Sequence, residues 1–76
     1  MGPLTAASYR AGRLTPSQLV VLGHCAAGLG DKAIARRMGV TRSTVVSHLR
    51  AARTVLGVPC RTAAVVTLII AARQAA

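Results

Sequence analysis

Acid is what this chain has least of. Its 76 residues hold one acidic side chain, Asp31, against ten Lys plus Arg, so no second carboxylate exists to help a catalytic base. Aromatic rings are almost as scarce, with one tyrosine, Tyr9, and no phenylalanine or tryptophan. A core without large rings must be thin and built of short side chains. Two cysteines, Cys25 and Cys60, are too few for a disulfide framework, and no CxxC or Cys/His spacing points to zinc, so no metal site is expected. Reduced thiols place such a chain in a reducing compartment. Long apolar runs are missing too. The stretch MGPLTAASYRAGR has none that would serve as a signal peptide, and the run Leu68 to Ala72 is far short of a membrane span. A cytoplasmic protein without membrane contact is expected.

What is present begins with charge. The formal net charge is +9 at pH 7, and nine of the ten cations are arginine. Arginine binds phosphate and guanine edges bidentately, so a polyanion is the natural partner, and a basic domain of this kind meets the first test for nucleic-acid binding. The chain has room for one domain, which buries only about 60% of its extended surface and leaves little for a large enzyme cleft. Its apolar share is 53%, mostly alanine, valine and leucine. Three or four short, closely packed helices use such residues economically, because alanine lets helices approach and loses no side-chain entropy. The fold class expected is all-α.

Residues 1 to 13 carry glycines at 2 and 12, Pro3 and two arginines without periodicity, and read as a flexible basic arm, with residues 14 to 76 as the folded domain. A first helix is predicted over about 16 to 27. Thr15 caps it, Pro16 occupies the first position, and Gln18 stands where a capping box has its second arm. Leu19, Val21, Leu22, Cys25 and Ala26 form its apolar stripe, and Gly28 stops it. A short second helix spans 31 to 38, with Asp31 at the positive end of its dipole and Ile34, Ala35 and Met38 inward. Gly39 makes a corner, Val40 plugs the core, and Thr41 caps a third helix over about 42 to 56, closed by Gly57 and Pro59. In that helix Val45, Leu49, Ala52 and Leu56 lie on one side. The fourth helix, roughly 62 to 74, directs Val65, Leu68, Ile69 and Ala72 to the core, which leaves Val66 and Ile70 to be covered by something else.

A short helix, a Gly-x-Thr corner and a longer helix with one polar cationic face are the parts of a helix-turn-helix, whose second helix enters the major groove. Arg50 has the fork that matches guanine O6 and N7, Val46 suits a thymine methyl, and Ser47 donates or accepts to several bases. Lys32, Arg36, Arg42, Ser43 and Thr44 are placed for phosphate oxygens, the last three helped by free N–H groups at the helix start. His48 stands near serines, as in a hydrolytic site, but no carboxylate is close in sequence to orient its ring. No enzyme activity, cofactor or small-molecule ligand is expected. Val66 and Ile70, four apart, would pair with the same helix of a second subunit, giving a homodimer strengthened by DNA.

The stretch from LTP at 14 to 16, through the AAGL run at 26 to 29, DKAIARRMGV at 31 to 40, His48 with Leu49 and LGV at 56 to 58, resembles the DNA-binding domain of the LuxR family. That family includes quorum-sensing regulators, many response regulators and small free-standing spore regulators. The resemblance covers residues 14 to about 65. It implies a four-helix domain without a wing, a third helix that reads bases from the positions of Val46, Ser47 and Arg50, phosphate contacts from Lys32 and Thr44, and a last helix that pairs two subunits. It also accounts for His48 as a residue at the rim between core and DNA face. The chain departs from the family's usual pattern at four positions: Val46 stands for a common lysine, Gln18 and Ala33 for glutamates, and Val55 for the lysine before LGV.

The leading expectation is a sequence-specific transcription regulator. An architectural DNA-binding protein of low specificity is the alternative, motivated by the weak readers Val46 and Ser47 and by the +9 charge, and a protein-interaction module is a third. The 76 residues contain no receiver or autoinducer-binding segment, as in a free-standing regulator controlled by its abundance or in a fragment of a larger one, and Met1 favours the former.

Overall fold

The computed structural model describes residues 10–75, which form four α-helices and, among the described residues, no strand. They are α1 (Pro16–Ala26), α2 (Asp31–Met38), α3 (Arg42–Leu56) and α4 (Arg61–Ala75). Each boundary has a chemical cause. At the start of α1, Thr15 Oγ1 accepts from Gln18 N at 3.2 Å while Gln18 Oε1 accepts from Thr15 N at 3.0 Å, a complete capping box. Pro16 needs no N–H partner there. Thr41 repeats half of that device for α3, its hydroxyl accepting from Thr44 N at 3.2 Å. Gly39 and Gly57 end α2 and α3 in the left-handed region, at φ 68° and 70°, which glycine enters without a Cβ clash. Val40 N then donates back to Ala35 O, and Val58 N to Arg53 O, both at 3.0 Å.

Helix α3 is the centre of the fold. It packs against all three other helices, and α1 also packs on α2 and α4, whereas α2 and α4 share no packed face. The line Val45, Leu49, Ala52 and Leu56 is buried along its whole length, as the spacing predicts, against Leu14, Val21, Leu22, Ile34, Ala35 and Ala64. The largest fully enclosed side chains are only leucine, isoleucine and valine. One ion pair joins the two helices that do not pack: Arg61 Nη2 at the start of α4 lies 2.6 Å from Asp31 Oδ1 at the start of α2.

Several expectations are corrected. Leu19 and Ala26 are exposed, because the inward face of α1 is centred instead on Gln18, Val21, Leu22 and Cys25. Gln18 is tolerated inside because its amide oxygen is occupied by the capping box. Val40 does not plug the core but remains 37% exposed beyond Gly39. In α4 the inward residues are Ala64 and Ala71, with Val65 and Leu68 half-buried, while Ile69 and Ala72 face outward. Ala64 and Ala71, seven apart, thus lie on the side of α4 that packs on α1 and α3. Helix α1 ends one residue early, and α4 starts one residue early and reaches Ala75. Of the basic arm, residues 1–9 lie outside the described residues. Residues 10 to 13 are not free: Arg10 and Ala11 are helical, Arg13 N donates to Arg10 O and Leu14 N to Ala11 O, both at 3.1 Å, and Ala11 packs on the core.

Candidate nucleic-acid interface

The burial of one side of α3 decides what its other side presents. With Val45, Leu49, Ala52 and Leu56 turned inward, Arg42, Ser43, Val46, Ser47 and Arg50 are all exposed, and the 3.6-residue period gathers them on one face. The first turn of α3 contains no acid, so the positive end of its dipole and the Arg42 guanidinium add. Around Thr41 the hydroxyls form a small cluster, with Thr44 Oγ1 at 2.8 Å and Ser43 Oγ at 3.2 Å from Thr41 Oγ1. Thr44 is half-buried and shares in the cap, while Ser43 stays exposed.

Helix α2 brings further cations. Lys32, Arg36 and Arg37 are exposed on it, and α2 packs directly on α3. The single carboxylate does not offset this field, because Asp31 is held against Arg61 and its Oδ1 is enclosed without a further hydrogen-bond partner. Two open clefts flank α3, one lined by Arg50, Arg53, Thr54, Gly57, Val58 and Pro59, the other by Val46, Leu49, Arg53, Cys60 and Arg61. Arg53 borders both, and its Nη1 donates to Pro59 O at 3.3 Å. On α4 the outward side chains Val66, Ile69 and Ile70 are 44–49% exposed and form one apolar face.

The remaining reactive groups are dispersed. His48 is half-buried at the edge of the core. Cys60 is exposed, and Cys25 is half-buried, where burial pushes its thiol up and the Arg61 guanidinium partly offsets that. Among the described residues no three His, Cys, Asp or Glu side chains converge to hold a metal. Among them too, no single helix is long and apolar enough to cross a membrane.

The family model GerE, described as bacterial regulatory proteins of the luxR family, matches residues 12–68, three-quarters of the chain. The chain belongs to the LuxR family. Comparison with curated proteins and with solved structures gave no match. The LuxR-family domain is an all-α, DNA-binding helix-turn-helix that serves transcription regulation, and α2, the Gly39–Thr41 corner and α3 form that unit here. It is a regulatory family rather than a family of enzymes.

Of the expected site residues the structure leaves Lys32, Arg36, Arg42, Ser43, Val46, Ser47 and Arg50 exposed on two helices that pack on each other, with Thr44 half-buried and Val66 and Ile70 apart on α4. Val46, Ser47 and Arg50 lie mid-helix on α3, Arg42 and Ser43 lie at its start, and Lys32 and Arg36 lie beside it on α2. Sequence reasoning missed two cations. Arg53 follows Arg50 by three residues, a spacing that would have revealed it, and Arg37 adjoins Arg36. A third, Arg10, is legible only in the fold, since its partner is 46 positions away.

Proposed function

We propose that this chain is a sequence-specific regulator of transcription that binds double-stranded DNA as a dimer, with α3 in the major groove. What supports the reading most is the division of α3: an unbroken buried line on one side, and on the other an exposed row of Arg42, Ser43, Val46, Ser47 and Arg50. The major groove admits one helix, and side chains near the helix's N-terminal half meet base edges. Arg50 takes the guanine-reading role, Val46 contacts a thymine methyl, and Ser47 completes the base-reading set. Lys32, Arg36, Arg42, Ser43 and Thr44 bind phosphates. Val66 and Ile70, joined by Ile69, form the surface on which two subunits meet, in a dimer that is weak alone and consolidated by DNA. A cytoplasmic location accompanies this reading.

Low-specificity architectural binding remains the second reading, favoured by the net charge of +9 and by two small base-facing side chains. Selection of bound sequences from a random duplex pool, followed by two variants, separates them. Arg50→Ala should lose about 1–3 kcal/mol on the selected site and much less on random duplex, whereas Lys32→Ala should weaken both alike. Equal losses from Arg50→Ala on both DNAs would transfer the chain to the architectural class.

A further inference from the structure

One long-range contact lies outside the stretch matched to the family. Arg10 precedes residue 12, where the match begins, yet its Nη1 donates to Leu56 O at 3.2 Å. Leu56 is the last residue of α3, and the final carbonyls of a helix have no partner within it. Gly57 N satisfies Arg53 O and Thr54 O, and Val58 N adds a second bond to Arg53 O. Arg10 supplies a donor for the last of the carbonyls that this turn does not reach. Its cation also lies at the negative end of the α3 dipole, where positive charge is favoured.

Gly57 makes the contact possible in two ways. Its φ of 70° turns the chain away, and its missing Cβ leaves the space that the guanidinium fills: a Cβ there would meet Arg10 Nη1 at 2.7 Å. The base of Arg10 is fixed as well, by the turn bonds from Arg13 N and Leu14 N, by Ala11 against the core and by Leu14 within it. The side chain therefore connects a fixed point of the N-terminal turn to the far end of α3.

We propose that Arg10 is a positioning residue, clasping the C-terminal end of the DNA-reading helix so that its base-facing side chains are presented at a fixed tilt. The proposal rests on the assignment of α3 as the reading helix. Leu56 is six residues beyond Arg50, or about 9 Å along the axis at 1.5 Å per residue, so movement at the clasp is transmitted to the guanine-reading fork. Hydrogen bonds to base edges weaken steeply with misalignment, whereas attraction to phosphates does not. Loss of the clasp thus lowers discrimination between sequences more than it lowers general DNA affinity.

The test is Arg10→Ala in the 76-residue chain, with Arg10→Lys as the conservative partner. Arg10→Ala should bind the pool-selected site about tenfold more weakly, the lower end of what one misaligned bidentate base contact contributes, and random duplex less than about twofold more weakly. The slope of log affinity against log salt should not change, and Arg10→Lys should recover most of the loss. In the DNA-free protein, amide exchange at Gly57 and Val58 should accelerate. Equal losses on both DNAs, with a slope smaller by about 0.9, would make Arg10 a phosphate contact instead. Unchanged exchange at Gly57 and Val58 would overturn the clasp outright. Accelerated exchange with discrimination intact would refute its role in reading DNA; if Arg50→Ala also left discrimination intact, the fault would lie with the assignment of α3 and not with the clasp.

Discussion

Helices α3 and α4 are both 15 residues long and adjacent in sequence, and they use their side chains in opposite ways. In α3 the buried residues Val45, Leu49, Ala52 and Leu56 fall on one line and the polar ones lie elsewhere, with Val46 the exposed large apolar side chain among them. In α4 valine, leucine and isoleucine occur on all sides, and the helix has no polar face comparable to that of α3. The difference sets what each outer surface can meet. A face that is polar and cationic can meet DNA while remaining wet when DNA is absent. A face of Val66, Ile69 and Ile70 gains nothing from water and is stabilised only by apolar contact, at about 25 cal/mol per Å² buried.

Three substitutions sharpen or break this comparison. The largest effect is expected at Leu49, 3% exposed in the buried line of α3. Leu49→Ala should destabilise the fold by about 2–5 kcal/mol, a large share of the roughly 4–11 kcal/mol available to a chain of this length, and urea denaturation followed by circular dichroism measures it. Ala64→Leu comes next. If α4 packs through its alanines, the added bulk should strain the contact by about 1–3 kcal/mol; a neutral or stabilising result would show that this face has room and that the helix can rotate. Ile70→Glu should change folding least, within about 0.5 kcal/mol for an exposed position, while abolishing two-subunit complexes on a palindromic site in a mobility-shift assay. Unfolding of that variant would assign Ile70 to the core. A folded variant that still binds as a dimer would place the subunit interface elsewhere.

The same contrast explains how much could be read before the fold was known. Helix α3 was legible throughout, since only one of its faces can enter a core, and its caps Thr41 and Gly57 are local signals. The capping box of Thr15 and Gln18 was legible for the same reason, although its consequence, a buried glutamine, was not. Helix α4 offered apolar residues on every side, so periodicity had no basis for preferring Ala64 and Ala71 over Ile69, and only the way α4 packs on α1 and α3 decides it. The Asp31–Arg61 pair and the Arg10–Leu56 contact join positions 30 and 46 residues apart. Neither has a local signature, because each depends on how the helices are assembled. The candidate residues could be grouped because they are local to two consecutive helices, whereas a contact such as Arg10–Leu56 could not.

A single core in a chain of 76 residues has a calorimetric consequence. At about 0.7 kcal/mol per residue, the heat absorbed on melting is only about 50 kcal/mol for 76 residues. A transition with so small an enthalpy is broad, and its midpoint is easily displaced, by roughly 4–8 °C per kcal/mol in domains of this size. If the chain has a preferred duplex site as proposed, that duplex at a hundred times its dissociation constant adds about 2.7 kcal/mol to the folded side. The midpoint should then rise by roughly 10–20 °C, so occupancy adds a sizeable fraction to the thermal endurance that packing supplies.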